Sequence, residues 1–194
     1  MIKILNGVVT QHPDLEMFDE KITFLTEIKQ KIAAIQALSD IAWIRVDSKP
    51  LIKDLERIIQ DWIDKFTQFL LQSTTRRIQN MTDFTNEVED GIKEIPEQAE
   101  TEKEKNLLKT VMTHLRDVNQ VKEHALGLVL PMKETILLLK KHAVEMNADF
   151  LVLLENCKTD LIDVSDRALG PTKEQILPLQ NKEANNVKER RKQF

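Results

Sequence analysis

Glycine and aromatic residues are scarce in this 194-residue chain, which carries four Gly, two Trp, seven Phe and no Tyr. Sandwiches and doubly wound sheets need many turn glycines and strand-forming aromatics, so neither class fits. The one cysteine, Cys157, has no internal partner for a disulfide, which is the usage of a reducing compartment. No apolar run approaches the roughly 18 residues that span a bilayer. The start, Met1-Ile2-Lys3-Ile4-Leu5-Asn6-Gly7, has neither the apolar stretch nor the cleavage site of a signal peptide. A net charge of −4 gives no general attraction to nucleic acid or to an anionic membrane. Hydrophobic content of 41% is too high for disorder at so small a net charge. The expectation from these absences is a soluble, intracellular, helical protein.

What is present is helical periodicity. Leu15, Phe18, Ile22, Leu25, Ile28, Ile32, Ile35 and Leu38 recur at steps of three and four, which predicts one long helix over 13–39. Before it, Asn6-Gly7 between two apolar pairs is a hairpin signal and predicts a short N-terminal β-hairpin at Ile2–Val9. After it, Asp47-Ser48 can cap a second helix, with Pro50 in the first turn where proline is tolerated. That helix has the seam Leu51, Leu55, Ile58, Trp62, Phe66, Phe69. Ser73 and Arg77 interrupt the stripe, which resumes at Met81, Phe84, Val88 and Ile92. Gly91 and Pro96 should close it. Thr101 and Glu104 have capping-box spacing ahead of a third helix carrying Leu107, Leu108, Val111, Leu115, Val118 and Val121. Gly127 ends that helix and another starts at Pro131. Asn147 is a suitable C-cap, and Gly170-Pro171 marks the last boundary, with Thr172 and Gln175 as a second capping box.

The fold class these elements predict is all-α, an elongated stack of long antiparallel helices of the spectrin type plus the short hairpin. Residues 1–46 form an N-terminal extension with one long helix. Residues 47–170 form a bundle, with a long hairpin at 48–127 and shorter helices, and 171–194 form a C-terminal helix. Trp43, Leu55, Trp62, Phe66, Phe84 and Leu115 are the expected core. A helix that still runs at residue 194 suggests a piece of a longer polypeptide.

Catalytic patterns are missing. Glycines 7, 91, 127 and 170 are too far apart for a phosphate loop. The residues three before His12, His114, His124 and His142 are Val9, Val111, Val121 and Leu139, which removes the Glu-x-x-His pairs of a di-iron bundle. Neither a His-Glu-x-x-His run nor a structural zinc set occurs. Cys157 lacks an electropositive setting and reads as inert, although a dyad with a distant His stays open. Asn80-Met81-Thr82 matches a glycosylation sequon but falls within a helix. No cofactor, metal or small-molecule substrate is expected. Arg76-Arg77 and the terminal Lys188, Arg190, Arg191, Lys192 are the basic clusters, candidates for docking an acidic partner.

A longer pattern runs from Asp40 onward. Trp43-Ile44-Arg45-Val46-Asp47 and Pro50 precede a helix with Leu55, Trp62, Phe66, Leu70 and Phe84. Leu115-x-x-Val118-x-x-Val121 follows, then Pro131 with Ile136-x-Leu138-Leu139, then Leu177-Pro178-Leu179-Gln180. In order and spacing this resembles the N-terminal tail of an axonemal dynein heavy chain, just before the linker. Asn6-Gly7-Val8 and Met17-Phe18-Asp19 match more loosely. The stretch Asn156–Asp166 lacks the Trp that many members carry, so no inner-arm or outer-arm subtype follows. The resemblance implies a non-catalytic segment of a motor ATPase that helps join heavy chains, carries intermediate and light chains and anchors the motor. It implies a place in the cytoplasm, the cytoskeleton and the ciliary axoneme. The competing reading is an unrelated tether or adaptor bundle, which would lack the Trp43–Asp47 and Pro50 signature.

Overall fold

The computed structural model describes residues 14–93, 95–96, 101–146 and 149–192. It is helical apart from one small hairpin, as the periodicity requires. In chain order the elements are α1 (Leu15–Ala33), β1 (Leu38–Ile41), β2 (Ile44–Asp47), α2 (Lys49–Lys93), α3 (Glu102–Gly127), α4 (Val129–Lys141), α5 (Phe150–Arg167), and α6 (Lys173–Lys192). A π-helical turn, Ala168–Thr172, joins α5 to α6. The stretch Ile2–Val9, Asn147 and Phe194 lie outside the described residues.

Local chemistry sets several of these ends. Asp14 caps α1 by accepting the Met17 N–H at 3.2 Å. Asp47 accepts the Lys49 N–H at 3.0 Å, and Pro50 sits harmlessly in the first turn of α2. Thr101 and Glu104 form the expected capping box: Glu104 accepts from the Thr101 N–H at 2.8 Å, and Thr101 from the Glu104 N–H at 3.3 Å.

The first helix stops at Ala33, short of residue 39. The chain then turns into an antiparallel hairpin with Asp40 opposite Arg45 and Ile41 opposite Ile44. Arg45 binds Asp40 across the strands at 2.9 Å. Ala42 takes the left-handed region at φ 54°, supplying the positive φ that a two-residue hairpin loop demands. Gly170-Pro171 likewise does not end the helical run. The chain stays helical through the π turn, whose wider hydrogen-bond spacing accommodates the missing N–H of Pro171.

The described residues pack as two compact units, one of 14–76 with 132–146 and one of 77–131 with 149–192. In the first, Ile22, Leu70, Met132, Ile136 and Leu139 are fully buried. In the second, Met81, Val88, Val111, Val118, Leu154, Leu161 and Ile176 form the interior. Phe84 is buried there as expected, and Leu115 is half-buried against the cluster of Leu108, Val111 and Ile176.

The seam expected along the first half of α2 is displaced by one residue, about 100° around the helix. Ile59, Thr67, Leu70 and Thr74 are buried, whereas Leu51, Ile58, Trp62 and Phe69 are exposed. Leu55 and Phe66 are half-buried. Trp62, expected deep in the core, is 50% exposed, and Trp43 at the hairpin tip is 90% exposed. This stretch carries apolar residues on two adjacent faces, and α1 packs on one of them. Phe18 meets Phe66 edge-on at 5.8 Å and stacks on Phe69 at 5.7 Å. The buried threonines fit because their hydroxyls bond back to carbonyls four residues earlier, Thr67 to Ile63 at 3.0 Å and Thr74 to Leu70 at 2.9 Å. Only their methyls then face the apolar interior.

Candidate docking surface

The expected basic residues do not share one environment. Arg76 is exposed on α2. Its neighbour Arg77 is buried in the second unit, at 9% exposure, and withdrawal from water lowers the pKa of its guanidinium. Arg77 is therefore corrected from a surface cation to an interior one, because adjacent helical positions point about 100° apart. Lys188 is exposed on α6, which continues through Lys192. The side chains of Arg190, Arg191 and Lys192 fall outside those described.

Lys188 stands at one end of a trough between α3 and α6. Its end nearer Lys188 is a cavity of about 590 Å³. The α3 wall there comes from Glu102, Lys105, Leu108, Lys109 and Met112, and the α6 wall from Gln180, Glu183, Ala184, Val187 and Lys188. Met112 and Gln180 also line the next cavity, of about 250 Å³, so the two adjoin along the same helix pair. Leu115, Arg116, Asn119, Leu169, Lys173, Ile176 and Leu177 complete that second part. Lys105 bridges the trough to Glu183 at 3.5 Å, and Arg116 bonds Asp117 at 3.3 Å.

The trough was not anticipated, although its signal is in the sequence. Residues 105, 109, 112, 116 and 119 share one face of α3 beside the buried stripe, and 173, 177, 180, 184 and 187 repeat that spacing on α6. Helical spacing alone does not say which two faces a trough will lie between.

Two other polar groupings are built from particular contacts. On α1, the Asp19 carboxylate accepts from Lys141 Nζ at 2.6 and 2.8 Å and lies 2.8 Å from His142 Nε2. The Lys141 hydrogen bonds, followed by that of His142, hold the Asp19 carboxyl below the usual carboxylate range. Cys157 is buried on α5, its sulfur 3.5 Å from the Thr82 hydroxyl and 3.9 Å from the Ile78 carbonyl oxygen. Burial raises its thiol pKa, the reverse of what an activated nucleophile requires. Among the described residues no cluster of three or more His, Cys, Asp or Glu is placed to hold a metal ion. No helix among them is long and apolar enough to cross a membrane.

The chain is thus an all-α protein with one small hairpin, and its candidate site is a trough on the surface between two helices. No protein-family model matches the chain. Its sequence is similar to curated axonemal dynein heavy chains over nearly its whole length. It is 28% identical over 179 residues to "Dynein beta chain, ciliary" of Tripneustes gratilla, covering 92% of this chain. It is 24% identical over 186 residues to "Dynein axonemal heavy chain 9" of Homo sapiens, covering 95% of this chain. It is 23% identical over 206 residues to "Dynein beta chain, flagellar outer arm" of Chlamydomonas reinhardtii, covering 94% of this chain. The chain spans about 4% of the length of each of these relatives.

Proposed function

We propose that this chain is a non-catalytic structural segment of a dynein heavy-chain tail, in the N-terminal stem just before the linker. The observation that carries the reading is similarity to several axonemal heavy chains over 92–95% of the chain, combined with an all-α fold that has one small hairpin. Scattered similarity of 22–28% sustained over some 180 residues is what a helical scaffold retains when packing, rather than chemistry, constrains its sequence. A location in the cytoskeleton of the ciliary axoneme accords with the ciliary, axonemal and flagellar descriptions of those relatives. An unrelated tether or adaptor would leave the extended similarity unexplained.

In this reading the segment supports heavy-chain association, carries intermediate and light chains, and helps anchor the motor for ciliary movement. The ATPase would belong to another part of the heavy chain. Arg76, Lys188, Arg190, Arg191 and Lys192 form the proposed partner-docking residues, with Arg77 removed from the set by its burial. The first test is the parent transcript. An open frame that continues past the Phe194 codon into several phosphate-loop motifs is expected, whereas an early stop codon would overturn the tail assignment. For docking, reversing the charge of Arg76, Lys188, Arg190, Arg191 and Lys192 should abolish co-purification of axonemal dynein chains. Retention of those chains would remove the docking role.

A further inference from the structure

The trough between α3 and α6 reverses the charge of the molecule that contains it. The chain carries −4 overall, yet the trough residues include Lys105, Lys109, Arg116, Lys173 and Lys188 against Glu102 and Glu183. Lys105 pairs with Glu183 and Arg116 with Asp117, which leaves Lys109, Lys173 and Lys188 as exposed cations along the rim against the single exposed carboxylate of Glu102. Between them the surface is apolar. Met112 is half-buried, and Leu177 and Val187 are 48% and 42% exposed, with Ala184 as a low point where a partner can approach closely.

The lining is long enough to seat several turns of a helix. From residue 105 to residue 119 the α3 wall runs roughly 20 Å, about four helical turns. Along α6 the spacing 173, 177, 180, 184, 187 keeps the facing wall in step over the same length. An amphipathic helix recognises such a surface through an apolar stripe at i, i+3, i+4 and i+7.

We infer that this trough is a docking groove for an acidic amphipathic helix of a partner protein. The apolar stripe of that helix lies on Met112, Leu177, Ala184 and Val187, and its Asp and Glu flanks meet Lys109, Lys173 and Lys188. The occupant is fixed by charge complementarity, since a basic helix would bring like charges together at three rim positions. The inference rests on the docking reading above only in using Lys188, and it does not require the partner to be a dynein chain.

The test uses the full 194-residue chain and a fluorescent 18-residue helical peptide with Leu at the stripe positions and Glu on both flanks. A control peptide has Lys in place of Glu. The acidic peptide is expected to bind and the basic one not, with affinity falling as salt is raised. Lys109→Glu combined with Lys188→Glu should weaken acidic-peptide binding by roughly tenfold or more and let the basic peptide bind. Ala184→Trp, an exposed position that can take a larger side chain without disturbing the interior, should fill the groove and abolish binding of either peptide. Thermal melts verify that each variant folds, and the Met112 methyl resonance of the unmodified chain should shift on adding the acidic peptide.

Equal binding of the two peptides, or binding that survives Ala184→Trp, would overturn the proposal. So would self-association of the chain that the charge reversals dissolve, because a second copy would then be the occupant. Absence of binding alongside a transcript that does encode a motor would reject the groove and leave the tail assignment standing.

Discussion

Gly91 lies inside α2, two residues before its end, with the His114 ring of α3 packed against it. A Cβ placed there would stand 2.3 Å from His114 Cδ2 and 2.5 Å from Nε2. The glycine therefore marks close approach of two helices, where the sequence suggested a helix stop. Gly91→Ala should gain about 1 kcal/mol of helix propensity and lose about 1–3 kcal/mol to crowding. Its net effect is expected to be destabilising in the native chain and stabilising in a His114→Ala background. A double-mutant cycle of thermal melts reads that change of sign. If Gly91→Ala had the same effect in both backgrounds, the ring contact would not be the reason for the glycine.

Asp19 carries a pH dependence whose sign is fixed by the direction of its shift. Hydrogen bonds from Lys141 and His142 lower its folded pKa below the unfolded value, so its contribution to stability is complete above the unfolded value. That contribution fades as pH falls through the depressed folded value. Asp19→Asn should lower the melting temperature at neutral pH, and the difference from the native chain should shrink as the pH falls below the ordinary carboxylate range. An unchanged difference between neutral and acidic melts would show that the carboxylate charge is not what stabilises the contact. The carboxylate is partly exposed, which keeps the effect modest.

At the scale of elements, α2 shows how an apolar pattern and a buried face can differ. Over residues 51–70 both the Leu51, Ile58, Trp62, Phe69 stripe and the Ile59, Leu70 stripe satisfy helical periodicity. The second is the buried one, while the first is covered only in part, where Phe18 meets Phe66 and Phe69. Leu70→Ala, at 0% exposure, should cost about 2–5 kcal/mol. Trp62→Ala, half exposed and in contact with Phe66 and the Lys65 ammonium, should cost only about 1–2 kcal/mol. Denaturant titrations of the two variants decide the matter, and a larger loss at Trp62 would reinstate it as core. The same burial pattern predicts that both tryptophans are quenched by iodide in the folded protein. Two-stranded hairpins are marginal alone, so β1–β2 depends on its covalent junction with α2 and on the Ser48 N–H bond to the Ala37 carbonyl at 2.8 Å.

For the whole molecule, the relevant fact is proportion. The chain matches its relatives almost from end to end but amounts to about 4% of their length. The net charge of −4 also means that an acidic partner gains little from long-range attraction and must rely on the short-range field of the rim.

Residue order along the chain is enough to specify the helical class, the capping box at Thr101 and Glu104, the cap at Asp47 and the extended pattern shared with axonemal heavy chains. These depend on residues near one another along the chain, where spacing and hydrogen-bonding chemistry act directly. It did not determine which stripe of α2 is buried, that Arg77 is interior while Arg76 is exposed, or that Gly91 admits a histidine ring. Nor did it reveal that Lys109, Lys173 and Lys188 border one trough. Each of those depends on which helix lies alongside, and a helix with apolar residues on two faces offers a neighbour more than one place to pack. Only the tertiary structure resolves that choice, because the energy of burial belongs to the pair of surfaces and not to either one alone.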